Sequence, residues 1–125
     1  MRLLLDTHTY LWWLARDTRL SDEASTAIAD GASPVLISAA TIWEAGIKSA
    51  AGRLRVRGDL VEHIRLSGFS SLAITVEHAS AAAGLPLLHR DPFDRMLVAQ
   101  ALAENLTLVT RDERLSRYGI SVLRA

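Results

Sequence analysis

The sequence predicts an α/β fold, a three-layer α/β/α sandwich around a mostly parallel central sheet of about five strands. Three observations predict it. Short, continuously apolar segments such as Leu3-Leu4-Leu5 and Val35-Leu36-Ile37 read as strands buried on both faces. These segments alternate with stretches of helical pattern. Helix start and stop residues, among them Asp91-Pro92, Gly68 and Gly119, fall between the two kinds of segment.

In chain order, Leu3-Leu4-Leu5 is the first strand, followed by helical pattern over 9–16 and a second helix over 21–30. The second strand covers 34–38, with Pro34 tolerable at its first residue. Ser38 then caps a helix that runs to Ala51. Asp59 and Glu62 have capping-box spacing at the start of the next helix, which Gly68 ends. Leu72-Ala73-Ile74 reads as the third strand, and Thr75 as the cap of an Ala-rich helix ending at Gly84. After a loop over 84–90, Asp91-Pro92 supplies an N-cap with proline at the first helical position, and this helix reaches Glu104 with Asn105 as its stop. A fourth strand at 106–109, a short helix at 112–118 and a fifth strand at 120–123 complete the pattern.

Composition narrows the function classes. The 125 residues correspond to a single domain, 1–125, and half of them are hydrophobic, which excludes general disorder. No cysteine is present, so thiolate metal sites, thiol catalysis and a disulfide scaffold are excluded. Fourteen cationic side chains balance fourteen acidic ones, which argues against coating nucleic acid by bulk charge. Asp6 interrupts the N-terminal apolar run, and no stretch approaches the roughly 20 apolar residues of a membrane span. The expectation is a soluble, cytoplasmic chain with no membrane partner.

Ligands of open α/β sheets bind beyond the carboxyl ends of the strands, where strand order reverses. Four acids can reach that edge. Asp6 follows the first strand, Glu44 lies two turns into the helix after the second, Asp94 opens the helix after Asp91-Pro92, and Asp112 follows the fourth strand. Four carboxylates in one cleft repel one another unless a hard divalent cation neutralises them, and Mg²⁺ suits oxygen ligands and phosphate substrates. Such a centre activates water and stabilises the leaving oxygen of a phosphodiester. Each acid also has an ordinary reading. Asp91 is adequately explained as an N-cap, Asp94 as a carboxylate favoured by the helix dipole, and Asp112 as the start of the last helix. Glu44 stands among Ile42, Trp43, Ala45 and Ile47, company that directs a carboxylate towards a pocket, and Asp6 ends a buried strand in a charge that needs a partner.

Taken together, these positions resemble the PIN-domain ribonucleases, in particular the VapC-type toxins of bacterial type II toxin–antitoxin pairs. The resemblance is carried by Leu4-Leu5-Asp6-Thr7-His8 with Leu11-Trp12-Trp13, by Ile42-Trp43-Glu44 with Ile47-Lys48, by His89-Arg90-Asp91-Pro92-Phe93-Asp94-Arg95 running into Ala99-Gln100-Ala101, and by Leu108-Val109-Thr110-Arg111-Asp112. It covers essentially the whole chain in the right order. It implies a single-strand endoribonuclease with Mg²⁺ (or Mn²⁺) held by Asp6 and Asp94. Asp112 completes the metal site, and Glu44 completes a catalytic quartet of Asp6, Glu44, Asp94 and Asp112. It also implies a homodimer inhibited by a small cognate antitoxin protein.

Other features bear on an RNA substrate. Lys48, Arg53, Arg55 and Arg57 form a basic run without an acid, suited either to an RNA backbone or to a solvated connector, and Arg111 adds charge beside Asp112. Adjacent Trp12 and Trp13 point about 100° apart on a helix, so either one is partly exposed for a protein partner or both belong to a wide buried stripe. His8 and His89 lie nearest the acids but lack paired zinc-ligand spacing, and His63 and His78 read as ordinary helix residues. Rival readings fare less well. A haloacid-dehalogenase-type, metal-dependent phosphatase needs a carboxylate where His8 stands, and a receiver domain needs an aspartate that Leu72-Ala73-Ile74-Thr75 does not offer. A non-enzymatic interaction module is opposed by the complete acidic set. No Gly-rich loop of the kind that cradles nucleotide phosphates occurs.

Overall fold

The computed structural model describes every residue from Met1 to Ala125. Strand β1 (Leu3–Leu5) lies at the centre of the sheet, hydrogen-bonded on one side to β2 (Val35–Ser38) and on the other to β4 (Thr107–Thr110). All four pairings are parallel, in the order β3-β2-β1-β4-β5, with β3 (Ser70–Leu72) and β5 (Ser121–Arg124) at the edges. A central parallel strand needs apolar side chains on both faces. Leu3 and Leu5 accordingly join one core cluster and Leu4 the other.

Helices cover both faces. Helices α1 (Thr7–Ala15), α2 (Asp22–Ala29) and α4 (Leu60–Leu66) supply Tyr10, Ala24, Ile28 and Ile64 to the core beneath Leu3 and Leu5. On the opposite face, α6 (Pro92–Glu104) contributes Leu97, Val98 and Ala101, with α5 (Val76–Gly84) packed against it. Helix α3 (Ala39–Ala50) reaches both cores, Ala45 in the first and Ala40 in the second. No helix is long and apolar enough to cross a membrane.

Several helix ends form as the residue types require. Ser38 Oγ accepts the Ala40 N–H, Asp91 Oδ1 accepts the Phe93 and Asp94 N–H groups with Pro92 at the first position, and Asn105 closes α6 at φ 55°. Other expectations need correction. The third strand is Ser70–Leu72, two residues before the apolar triplet Leu72-Ala73-Ile74. An edge strand has fewer buried neighbours, so paired backbone suffices without a two-faced apolar run. Asp59 caps α4, but Glu62 pairs with Arg65 and does not return to the cap. The reciprocal capping box forms at α5, where Thr75 Oγ1 accepts the His78 N–H and His78 Nδ1 accepts the Thr75 N–H. His78 is therefore a buried structural residue, its Nε2 2.9 Å from Glu104. The last helix is a short 3-10 turn, Glu113–Tyr118, ended by Gly119 at φ 78°.

The loop between α5 and α6 is pinned by Arg95. Its guanidinium donates to the carbonyls of Ala82, Leu85, Pro86 and His89 and to the Tyr118 hydroxyl, at 2.9 to 3.4 Å. Five acceptors around one buried cation make the loop's path a property of α6. Arg95→Ala is expected to cost about 3 kcal/mol of unfolding free energy, because it orphans several of these acceptors. Urea denaturation checks this, and a loss below about 0.5 kcal/mol, the ordinary surface range, would assign the loop's order to other contacts.

Candidate active site at the carboxyl edge of the sheet

The strand order reverses across β1, whose neighbours β2 and β4 lead to opposite halves of the sheet. A cleft of about 420 Å³ opens there, lined by Asp6, Thr7, His8, Trp12, Glu44, Lys48, Asp91, Asp94, Arg111 and Asp112. The four acids singled out from the sequence thus share one cleft, each brought in by a different element.

Asp6 ends β1 and caps α1. Its Oδ1 accepts the Thr9 N–H at 2.9 Å, so the helix N-terminus faces its charge. Glu44, 5% exposed, accepts from Thr7 Oγ1 at 2.5 Å through one oxygen and from Lys48 Nζ at 2.6 Å through the other. Asp112 follows β4 and caps the 3-10 turn, where Oδ1 accepts the Arg114 N–H and Nε–H, at 3.0 and 2.9 Å. Its Oδ2 accepts from Arg114 Nη2 at 2.8 Å and lies 2.9 Å from His89 Nε2. The Arg114 guanidinium, with His89, holds the Asp112 carboxyl well below the usual carboxylate range.

Asp94 differs from the other three. Burial pushes its carboxyl up to about 7, and the charges of Asp91, Asp6 and Glu44 push the same way, opposed only by His89. His89 Nε2 is 3.6 Å from Asp94 Oδ2, too long for a hydrogen bond. Asp94 is the acid of the quartet whose charge the protein leaves uncompensated.

His89 is the residue that sequence spacing missed. It carries no paired-ligand signal, yet a single imidazole stands between Asp94 and Asp112, and one ligand atom from each of the three lies within 4.8 Å of the others. Its Nδ1 accepts the Asp91 N–H at 3.1 Å, which leaves the proton on Nε2, aimed at Asp112. Asp91 caps α6 and also adds to the charge pressing on Asp94.

The basic residues divide. Lys48 is bound to Glu44 inside the cleft. Arg55 and Arg57 line a neighbouring cavity of about 580 Å³, which meets the cleft through His8 and Trp12, while Arg53 lines neither. Arg111 donates Nε–H and Nη2–H to the Ala125 carbonyl, donates also to the Arg19 carbonyl, and stacks 4.7 Å from the Trp12 ring centre. Trp12 and Trp13 are both half-buried against the core, and the exposed tryptophan is Trp43, at 64%, edge-on to Phe93.

Comparison with known proteins agrees with this architecture. The family model described as PIN domain matches residues 3–120. Ribonuclease VapC22 of Mycobacterium tuberculosis is 34% identical over 124 residues, covering 93% of this chain and 91% of the relative. VapBC2 from Rickettsia felis, solved bound to a DNA fragment from the VapBC2 promoter, superposes with a TM-score of 0.71 at 17% identity, covering 98% of both chains. DNA-bound VapBC from Salmonella typhimurium gives 0.69 at 17% identity, covering 98% of this chain and 97% of that one.

The raised Asp94 carboxyl sets a pH dependence. The folded group binds its proton more tightly than the unfolded one, so its relative stabilisation is complete below the ordinary carboxylate range. It is lost as pH rises towards 7. In chelator at pH 8, Asp94→Asn is expected to be more stable than wild type by about 1 kcal/mol or more, an advantage that disappears as pH falls to about 4. Thermal or urea unfolding across that range checks it, and an advantage independent of pH would contradict it.

Proposed function

The chain belongs to the PIN domain family, and from that premise we propose that it is a metal-dependent endoribonuclease acting as the toxin of a toxin–antitoxin pair. The observation that carries the reading is the convergence of Asp6, Glu44, Asp94 and Asp112 on one cleft, with Asp94 left uncompensated. The donor set fits a hard divalent cation, Mg²⁺ or Mn²⁺: carboxylate oxygens from two elements, in a cleft large enough to keep water and a phosphate beside them.

In this reading Asp6 and Asp94 hold the ion, through the free Oδ2 of Asp6 and the uncompensated carboxylate of Asp94. The bound cation would supply an activated water and charge neutralisation for the departing oxygen of a phosphodiester. Glu44, locked between Thr7 and Lys48, orients water on the α3 side of the cleft, and Asp112 bounds the opposite side. The basic run through Arg55 and Arg57 is offered to the RNA backbone beside the cleft. The same family reading supports a cytoplasmic, one-domain protein, a homodimer, and a small cognate antitoxin as partner.

Purified wild type is expected to cut RNA with Mg²⁺ or Mn²⁺ and to stop in chelator. Asp6→Asn and Asp94→Asn should each lower the rate by about a hundredfold or more. Gel analysis of labelled RNA checks this; undiminished cutting in chelator, or full activity in both variants, overturns the metal-nuclease reading. The toxin reading is checked by co-expression with the neighbouring open reading frame. A small protein should co-purify and suppress cleavage, and a neighbour that neither binds nor inhibits counts against the pairing.

A further inference from the structure

We infer that Asp112 is a positioning residue that holds Arg114 at the mouth of the cleft to bind a phosphate of the RNA, and is not itself a direct metal ligand. The inference rests on the nuclease reading and changes the role of one member of its quartet.

A carboxylate offers about four acceptor positions. On Asp112 all four are taken by protein donors: the Arg114 backbone N–H and Nε–H on Oδ1, and Arg114 Nη2–H with His89 Nε2–H on Oδ2. Each donor is itself constrained. The N–H on Oδ1 caps the 3-10 turn, the two guanidinium contacts form a bidentate fork, and His89 is fixed from behind by the Asp91 N–H. A cation could enter this carboxylate only by displacing part of a charge-assisted set. Asp94 offers one without such competition.

The fork leaves Arg114 with donors to spare. Its Nη1 makes no hydrogen bond to the protein, and the side chain is 65% exposed beside Asp112, which lines the cleft. The two cations that line the cleft itself, Lys48 and Arg111, are spoken for, Lys48 by Glu44 and Arg111 by the backbone of Arg19 and Ala125. A planar guanidinium, held at one edge by a carboxylate and open at the other, suits a phosphate oxygen. His89 Nε2 sits 3.2 Å from Arg114 Nη2, both groups converging on Asp112 Oδ2, and so limits the sideways movement of the fork.

Two titrations need no turnover. Calorimetric Mn²⁺ binding to metal-free protein should change by less than about threefold in Asp112→Asn, against a loss of more than about tenfold in Asp94→Asn. Anisotropy with a short single-stranded RNA in chelator should show Arg114→Ala binding about tenfold more weakly, with a salt slope lower by about one, while Arg114→Lys keeps the slope. In the cleavage assay, the double variant Asp112→Asn/Arg114→Ala should lose no more than Arg114→Ala alone, because both changes remove one function. Circular dichroism melts keep folding defects apart from these effects. Loss of Mn²⁺ by Asp112→Asn as severe as by Asp94→Asn, an unchanged salt slope in Arg114→Ala, or additive losses in the double variant each overturn the inference. Failure of wild type to cleave would instead sink the nuclease reading, leaving the two titrations to decide the role of Asp112.

Discussion

Like-charge repulsion within one cleft is the constraint on which the site depends, and the protein meets it acid by acid. Asp6 faces the N-terminus of α1, Glu44 is shared between Thr7 and Lys48, and Asp112 is enclosed by Arg114 and His89. Each solution is local, supplied by the element that carries the acid or by one beside it. Asp94 has only His89 beside it, at 3.6 Å and beyond hydrogen-bond reach, and burial, followed by the neighbouring acids, raises its carboxyl. The cleft is thus not a uniform acidic patch. Three charges are balanced in place, and the fourth defines where an added cation gains most.

The sheet makes that arrangement possible. Parallel strands send every strand-to-helix connection to the same edge. The reversal at β1 gathers the connections after β1, β2 and β4 around one point. Leu3, Leu4 and Leu5 hold β1 in place by burial on both faces, so the backbone of Asp6 has little freedom to retreat from its neighbours. Apolar packing and polar chemistry are therefore coupled at a single residue boundary, Leu5 to Asp6.

Much of this was legible in the sequence for a definite reason. Buried parallel strands are short apolar runs, helix caps are read from single residues, and the acids stand next to both. What escaped notice was held by long-range contacts. Strand β3 is polar because an edge strand needs backbone pairing more than side-chain burial, so its pattern pointed two residues too late. His78 read as an ordinary helix residue, yet it completes a cap and reaches Glu104, 26 positions away. His89 gave no ligand spacing because its partner Asp112 arrives from the far end of β4. Arg111 was expected to face RNA, and the structure gives most of its donors to the backbone at Arg19 and Ala125.

Arg95 follows Asp94 directly in α6, and its five acceptors lie mostly on the loop that delivers His89. One helical turn therefore encodes both an acid of the site and the frame that carries the imidazole beside it. Loops usually tolerate changes of length, because their ends alone are fixed. The segment from Leu85 to Arg90 is held at Leu85, Pro86 and His89 as well, so a residue added directly after His89 would move it out of register with Asp112 even where the fold survived. In this fold the connection between α5 and α6 behaves as a gauge of set length, and variation among related chains is to be sought elsewhere on the surface.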